Sequence, residues 1–147
     1  MDQIDNMIIR MLAQDGNASA TYIGATVGLS IPAVNKRIRR LQEEGAIRSF
    51  TVLTDGKKAG KPILAYILLV LRYGDGVESF TKYIQSDPDI LECYAVTGEY
   101  DYILKVCAAD VEALEEKLLQ LKRQKGVVKS HTMLSLMEHK LQPTILP

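Results

Sequence analysis

Val27-Gly28-Leu29-Ser30-Ile31-Pro32-Ala33-Val34-Asn35-Lys36-Arg37-Ile38-Arg39-Arg40-Leu41 is the stretch on which the fold turns. Gly28 supplies the positive φ that ends one helix, and Ser30, two residues on, caps the next. Pro32 sits in the first turn, where its missing N–H costs little. At about 100° per residue Val34, Ile38 and Leu41 form one apolar stripe, leaving Pro32, Asn35, Lys36, Arg39 and Arg40 on other faces. Two helices joined by so tight a glycine-containing turn make a helix-turn-helix, and the second of them carries a basic outer side.

Upstream, Ile4, Ile8, Met11 and Leu12 recur at helical spacing, with Asp2 and Asp5 at the N-terminus where the macrodipole favours anions. Ser19 caps a short second helix through Tyr22, Ile23 and Val27. Downstream, Gly45 closes the third helix and a short strand is expected over 47–52. The glycine, lysine and proline of 54–62 bury little and mark a hinge.

The remainder alternates elements: strand 63–72, helix 77–86, strand 90–96, strand 102–108, helix 111–125 and strand 127–137. That order, βαββαβ, is ferredoxin-like, an antiparallel four-stranded sheet with two helices on one face. The fold class is therefore α+β. The expected domains are a helix-turn-helix (winged-helix-like) domain over 1–50, a hinge strand and linker over 51–61, and a ferredoxin-like domain over 62–147. The first strand of the sheet is apolar at odd and even positions alike, so both its faces should be covered. Two helices cover one face only, and the natural cover for the other is a second copy of the sheet. A homodimer is expected, with tetramer or octamer as larger assemblies left open.

Composition is compatible with this plan. The chain has 147 residues, 47% apolar and 24% charged, which excludes general disorder and fibrous repeats. The net charge of zero hides nine Lys/Arg against six Asp/Glu in residues 1–62, and a concentrated basic patch matters more than the total. The longest apolar run is about half of the roughly 20 residues that cross a bilayer. No membrane partner is expected. Met1 is followed by Asp2 and Asp5 rather than by a basic and then an apolar region, so a cytoplasmic location is expected. Cys93 and Cys107 are too few for a structural zinc site. A hairpin symmetric about Tyr100 would set them opposite each other, but free core thiols are the expectation in a reducing compartment.

Asp2-Gln3-Ile4-Asp5, Val27-Gly28-Leu29-Ser30, Arg37-Ile38-Arg39-Arg40-Leu41, Gly45-Ala46-Ile47 and Thr97-Gly98-Glu99-Tyr100-Asp101-Tyr102 together resemble the Lrp/AsnC family of feast/famine transcription regulators over essentially the whole chain. Two positions depart from the family pattern: Ile31 follows the capping serine where proline is frequent, and Asn17 stands where many members have arginine. Double-stranded DNA is then the expected macromolecular partner. The major groove admits a helix whose N-terminal side chains reach base edges while flanking cations hold phosphates. Pro32, Ala33, Asn35 and Lys36 are placed for bases, Arg39 and Arg40 for phosphates, and Ser30 and Thr21 for neutral phosphate bonds. Arg37, at the flank, equally suits bracing the domain.

The resemblance also implies a free amino acid or similar small effector bound near the turn from Gly98 to Asp101. Backbone N–H groups around Gly98 suit its carboxylate, Glu99 or Asp101 its ammonium, Tyr100 a wall, and Ser130 and Thr132 the lining. The competing account of that turn is a plain hairpin whose glycine supplies φ > 0. No cofactor or metal is expected, and no catalytic residue. The alternative of a different class is a sirohaem-decarboxylase-like enzyme on the same two-domain plan. Against it, His131 and His139 have no second ligand or base partner at suitable spacing.

Overall fold

In the computed structural model of the chain, residues 1–72, 74 and 76–147 are described. They divide into two compact units, one of residues 1–53 with 140–147 and one of residues 54–139. The last eight residues thus group with the N-terminal unit, where Arg10 donates to the carbonyl of Pro147.

The N-terminal unit is built from α1 (Gln3–Gln14), α2 (Ala20–Val27) and α3 (Ile31–Glu43). Each start is capped as its sequence requires: Asp2 and Asp5 form a reciprocal capping box, and Ser19 and Ser30 accept from Tyr22 and Ala33 N–H. Ile8, Ile9, Ile23, Val34 and Leu41 make the shared core. The turn between α2 and α3 depends on two glycines. Gly28 ends α2 at φ 73°, and a Cβ on the buried Gly24 would lie 2.5 Å from the Leu29 carbonyl.

The second unit comprises β1 (Ile63–Leu71), α4 (Val77–Ser86), β2 (Ile90–Ala95), β3 (Tyr102–Ala108), α5 (Val111–Lys122) and β4 (Val127–Leu134). Its sheet is antiparallel throughout, in the order β2-β3-β1-β4. Ile67, Leu69, Leu71, Leu104 and Val106 are buried beneath Phe80 of α4 and Leu121 of α5. The alternate residues Leu64, Tyr66, Leu68 and Val70 of β1 lie on the other face and are only half-buried. Their neighbours there are Ile103 and Cys107 of β3 and His131 and Met133 of β4.

Four expectations need correction. Residues 47–52 form no strand, because among the described residues no neighbouring segment offers them a ladder. The last strand stops at Leu134 rather than at 137; beyond it, among the described residues, only Ser135 N–H still reaches β1, at the Leu64 carbonyl. The last helix stops at Lys122 rather than 125, since the chain must turn through Gly126 at φ 90° to enter β4. The β2–β3 hairpin is not centred on Tyr100: Cys93 faces Leu104 and Cys107 faces Leu64. The cysteines therefore occupy opposite sheet faces, and both are free.

The expected hinge is more ordered than its composition suggests. Asp55 caps a turn by accepting from Lys58 N–H, Lys61 N–H reaches the Gly56 carbonyl, and the Lys61 ammonium pairs with Asp89.

Candidate functional site

The outward side of α3 is set by what its inward side buries. With Val34 and Leu41 fully enclosed, Pro32, Asn35, Lys36 and Arg39 project to solvent, and Ala33 is half-exposed beside them. Ser30 spends its oxygen on the Ala33 N–H, 3.4 Å away, and keeps its hydroxyl proton available. Thr21 is exposed in the first turn of α2. A groove of about 570 Å³ runs along α3, lined by Ala33, Lys36, Arg37, Arg39, Arg40 and Glu43 with Leu29 at its end. Of the expected nucleic-acid residues the groove brings together Ala33, Lys36, Arg39 and Arg40; Pro32 and Asn35 are exposed on the same helix, Ser30 caps it, and Thr21 stands on α2.

The four clustered cations differ in their surroundings. Lys36 and Arg39 are exposed and, among the described residues, have no ion-pair partner. Arg37 lies 2.7 Å from Asp2 and 2.8 Å from Asp5, and Arg40 lies 2.6 Å from Asp5 and 3.7 Å from Glu44. Asp5 is 1% exposed. Burial alone would push its carboxyl up, but the Asp2 N–H and the Arg37 and Arg40 guanidinium groups outweigh that and hold it below the ordinary range. The hydrogen bond from Arg37 is the main cause of the lowering of Asp2 to about 2.

This cluster is the functional feature that the sequence reading missed, Arg37 as a brace apart. A signal was present: Asp5 falls in register with Ile8, Ile9 and Leu12 on the buried side of α1. A carboxylate on an apolar stripe requires a cation from a neighbouring element.

In the second unit, Gly98 adopts φ 111° and Val96 N–H bonds the Asp101 carbonyl, closing the β2–β3 turn. The Asp101 carboxylate accepts from Leu71 N–H at 2.8 Å, while its own N–H reaches the Leu69 carbonyl at 2.9 Å. The Asp101 side chain therefore ties the turn to the end of β1, and its other carboxylate oxygen has no partner among the described residues. Glu99 pairs with Lys129, whose ammonium sits 4.9 Å from the Tyr100 ring centre, and Tyr100 neighbours His131 at 6.2 Å. The Lys129 ammonium holds the Glu99 carboxyl below its usual range.

Ser130 and Thr132 pair with Leu69 and Ile67 and so lie on the helix-covered face of the sheet, whereas Lys129 and His131 share the other face with Tyr100. The expected effector residues are thus split between two faces. Asp101 instead lines a cavity of about 350 Å³ with Leu71, Arg72, Val77, Ala95 and Tyr102. Arg72 and Val77 were not foreseen, since nothing in a strand end or a helix start marks them. Among the described residues no group of three His, Cys, Asp or Glu side chains suits a metal ion, and no helix is long and apolar enough to cross a membrane.

Comparison with known proteins places these surfaces in context. Residues 1–48 match a winged helix-turn-helix DNA-binding model, and residues 64–145 match the Lrp/AsnC ligand binding domain. The chain is 35% identical to the HTH-type transcriptional regulator FL11 of Pyrococcus horikoshii, over 100% of this chain and 96% of that one. It is 34% identical to the leucine-responsive regulatory protein of Escherichia coli, over 82% of this chain and 77% of that protein. A transcriptional regulator of Neisseria meningitidis, solved as its L-Met complex, superposes with a TM-score of 0.92 at 26% identity, covering 99% of this chain and 96% of that one. All three are named as regulators rather than enzymes.

Proposed function

The chain belongs to the Lrp/AsnC family of transcriptional regulators, and from that premise we propose that it is a cytoplasmic, sequence-specific binder of double-stranded DNA whose assembly or DNA binding responds to a small amino-acid-like effector. The observation that carries the DNA half is the free, outward pair Lys36 and Arg39 beside Asn35 and Pro32 on a helix capped and braced from within. Pro32, Ala33, Asn35 and Lys36 address base edges, Arg39 a phosphate, and Ser30 and Thr21 give neutral phosphate bonds. One such module buries modest surface, so two copies joined as a homodimer read half-sites about one helical turn apart. The half-buried apolar face of β1 and its neighbours is the surface that joins them.

For the effector half, the names of the relatives, one leucine-responsive and one in complex with L-Met, support an amino acid as ligand. Asp101, whose second carboxylate oxygen has no partner among the described residues, suits the ammonium, and the turn from Gly98 through Glu99 to Tyr100 suits the remainder. Ser130 and Thr132 contribute only from the far face of the sheet.

Lys36→Ala and Arg39→Ala test the division of labour. Binding is measured by fluorescence anisotropy on a duplex selected from random sequence and on an unselected duplex. Lys36→Ala should change the ratio between the two, and Arg39→Ala should weaken both alike. Equal effects of the two variants on both duplexes would refute the assignment.

A further inference from the structure

The ion-pair cluster behind α3 does more than brace a helix. Arg37 and Arg40 both bond the enclosed Asp5 at the N-terminus of α1, Arg40 with 45% of its side chain still exposed on the groove it lines with Lys36 and Arg39, whereas Lys36 and Arg39 have no ion-pair partner among the described residues. A guanidinium whose charge is already met by a carboxylate offers a phosphate little, because leaving Asp5 would strand a buried anion. Asp2 and Glu44 supply second partners, to Arg37 and Arg40 respectively.

Resting on the DNA-binding reading above, we infer that Asp5 is a charge-masking residue: it withholds Arg40, with Arg37, from the DNA backbone and limits the phosphate-contacting charge of α3 to Lys36 and Arg39. The consequence is specificity. Phosphate contacts strengthen binding to every sequence alike, so a module with four free cations would hold random DNA tightly and gain less from its base contacts. Two free cations near the base-reading residues keep the sequence-independent part small.

The distinguishing readout is the salt dependence of binding, which counts the phosphates neutralised. Each contact contributes about 0.9 to the slope of log K against log salt, or about 3.5-fold between 50 and 200 mM. Asp5→Asn keeps the size of the side chain and an oxygen for the Asp2 N–H, but removes the charge. Asp15→Asn makes the same change of net charge about 15 Å farther along α1.

On an unselected duplex, Asp5→Asn should steepen the slope by about 0.9 per module or more, Arg40→Gln added to it should remove most of that gain, and Asp15→Asn should leave the slope at the parent value. A slope for Asp5→Asn equal to the parent's, or matched by Asp15→Asn, overturns the inference. Arg40→Gln in the parent decides the matter without touching Asp5, should Asp5→Asn unfold: an unchanged slope supports masking, and flattening by about 0.9 shows that Arg40 was already on a phosphate. If the parent chain binds no duplex even at low salt, the DNA-binding reading itself fails and the inference falls with it.

Discussion

Asp101 offers a sharp separation between holding the fold and holding a ligand. Its carboxylate accepts the Leu71 N–H at 2.8 Å and so fastens the β2–β3 turn to the end of β1. Asp101→Ala leaves that N–H without its partner, at a cost of about 1–3 kcal/mol. In a domain of about 60–100 residues each kcal/mol moves the melting temperature by roughly 4–8 °C, so about 2 kcal/mol corresponds to roughly 8–16 °C. Asp101→Asn keeps an oxygen acceptor for Leu71 and removes only the charge that an ammonium group would seek. Scanning calorimetry on the full chain, with and without each of the common L-amino acids at millimolar concentration, reads both effects. The parent should be stabilised by at least one amino acid, by about 2.7 kcal/mol at a hundredfold excess over its Kd. Asp101→Ala should lose both basal stability and the response; Asp101→Asn should keep most of the stability and lose the response. If Asp101→Asn still responds to the amino acid, Asp101 has no part in ligand binding. If it melts as low as Asp101→Ala, the charge rather than the acceptor secures the turn.

Two further outcomes are expected. Asp2, lowered to about 2 chiefly by the Arg37 hydrogen bond, and Asp5, also lowered, bind protons more readily unfolded than folded. The N-terminal unit should therefore keep this stabilisation above about pH 4 and lose it as pH falls toward 2, with Arg37→Met flattening the dependence in circular-dichroism melts; no difference between parent and variant over that window would contradict the role of the pair. On the open sheet face, Leu68 sits between Ile103 and His131. The parent should sediment as a dimer and Leu68→Glu as a folded monomer in sedimentation equilibrium, and a variant that stays dimeric places the interface elsewhere.

Most of the architecture was legible because local signals agreed with the global plan. Ser19, Ser30 and Gly28 marked helix ends that the structure keeps, and the apolar run from residue 63 marked β1 as a strand, which the structure sets between β3 and β4. What escaped the sequence lay between elements. The hairpin register depends on where Gly98 turns, and a shift of its centre moved Cys93 and Cys107 to opposite faces. Residues 47–52 have strand-like composition, but a ladder needs a partner, and composition does not supply one. At the site, Lys36 and Arg39 were readable from helical spacing, whereas the engagement of Arg40 required knowing that the start of α1 packs beside α3. Ser130 and Thr132 share one strand face, but the face shared with Tyr100 belongs to Lys129 and His131.

Hydroxyl-radical footprinting of the full chain on a duplex selected from random sequence bears most directly on the account. Two copies of α3 entering successive major grooves on one side of the DNA should leave two protected patches centred about 34–36 Å apart, and Lys36→Ala combined with Arg39→Ala should erase both. A single patch, or protection that survives the double substitution, would contradict it.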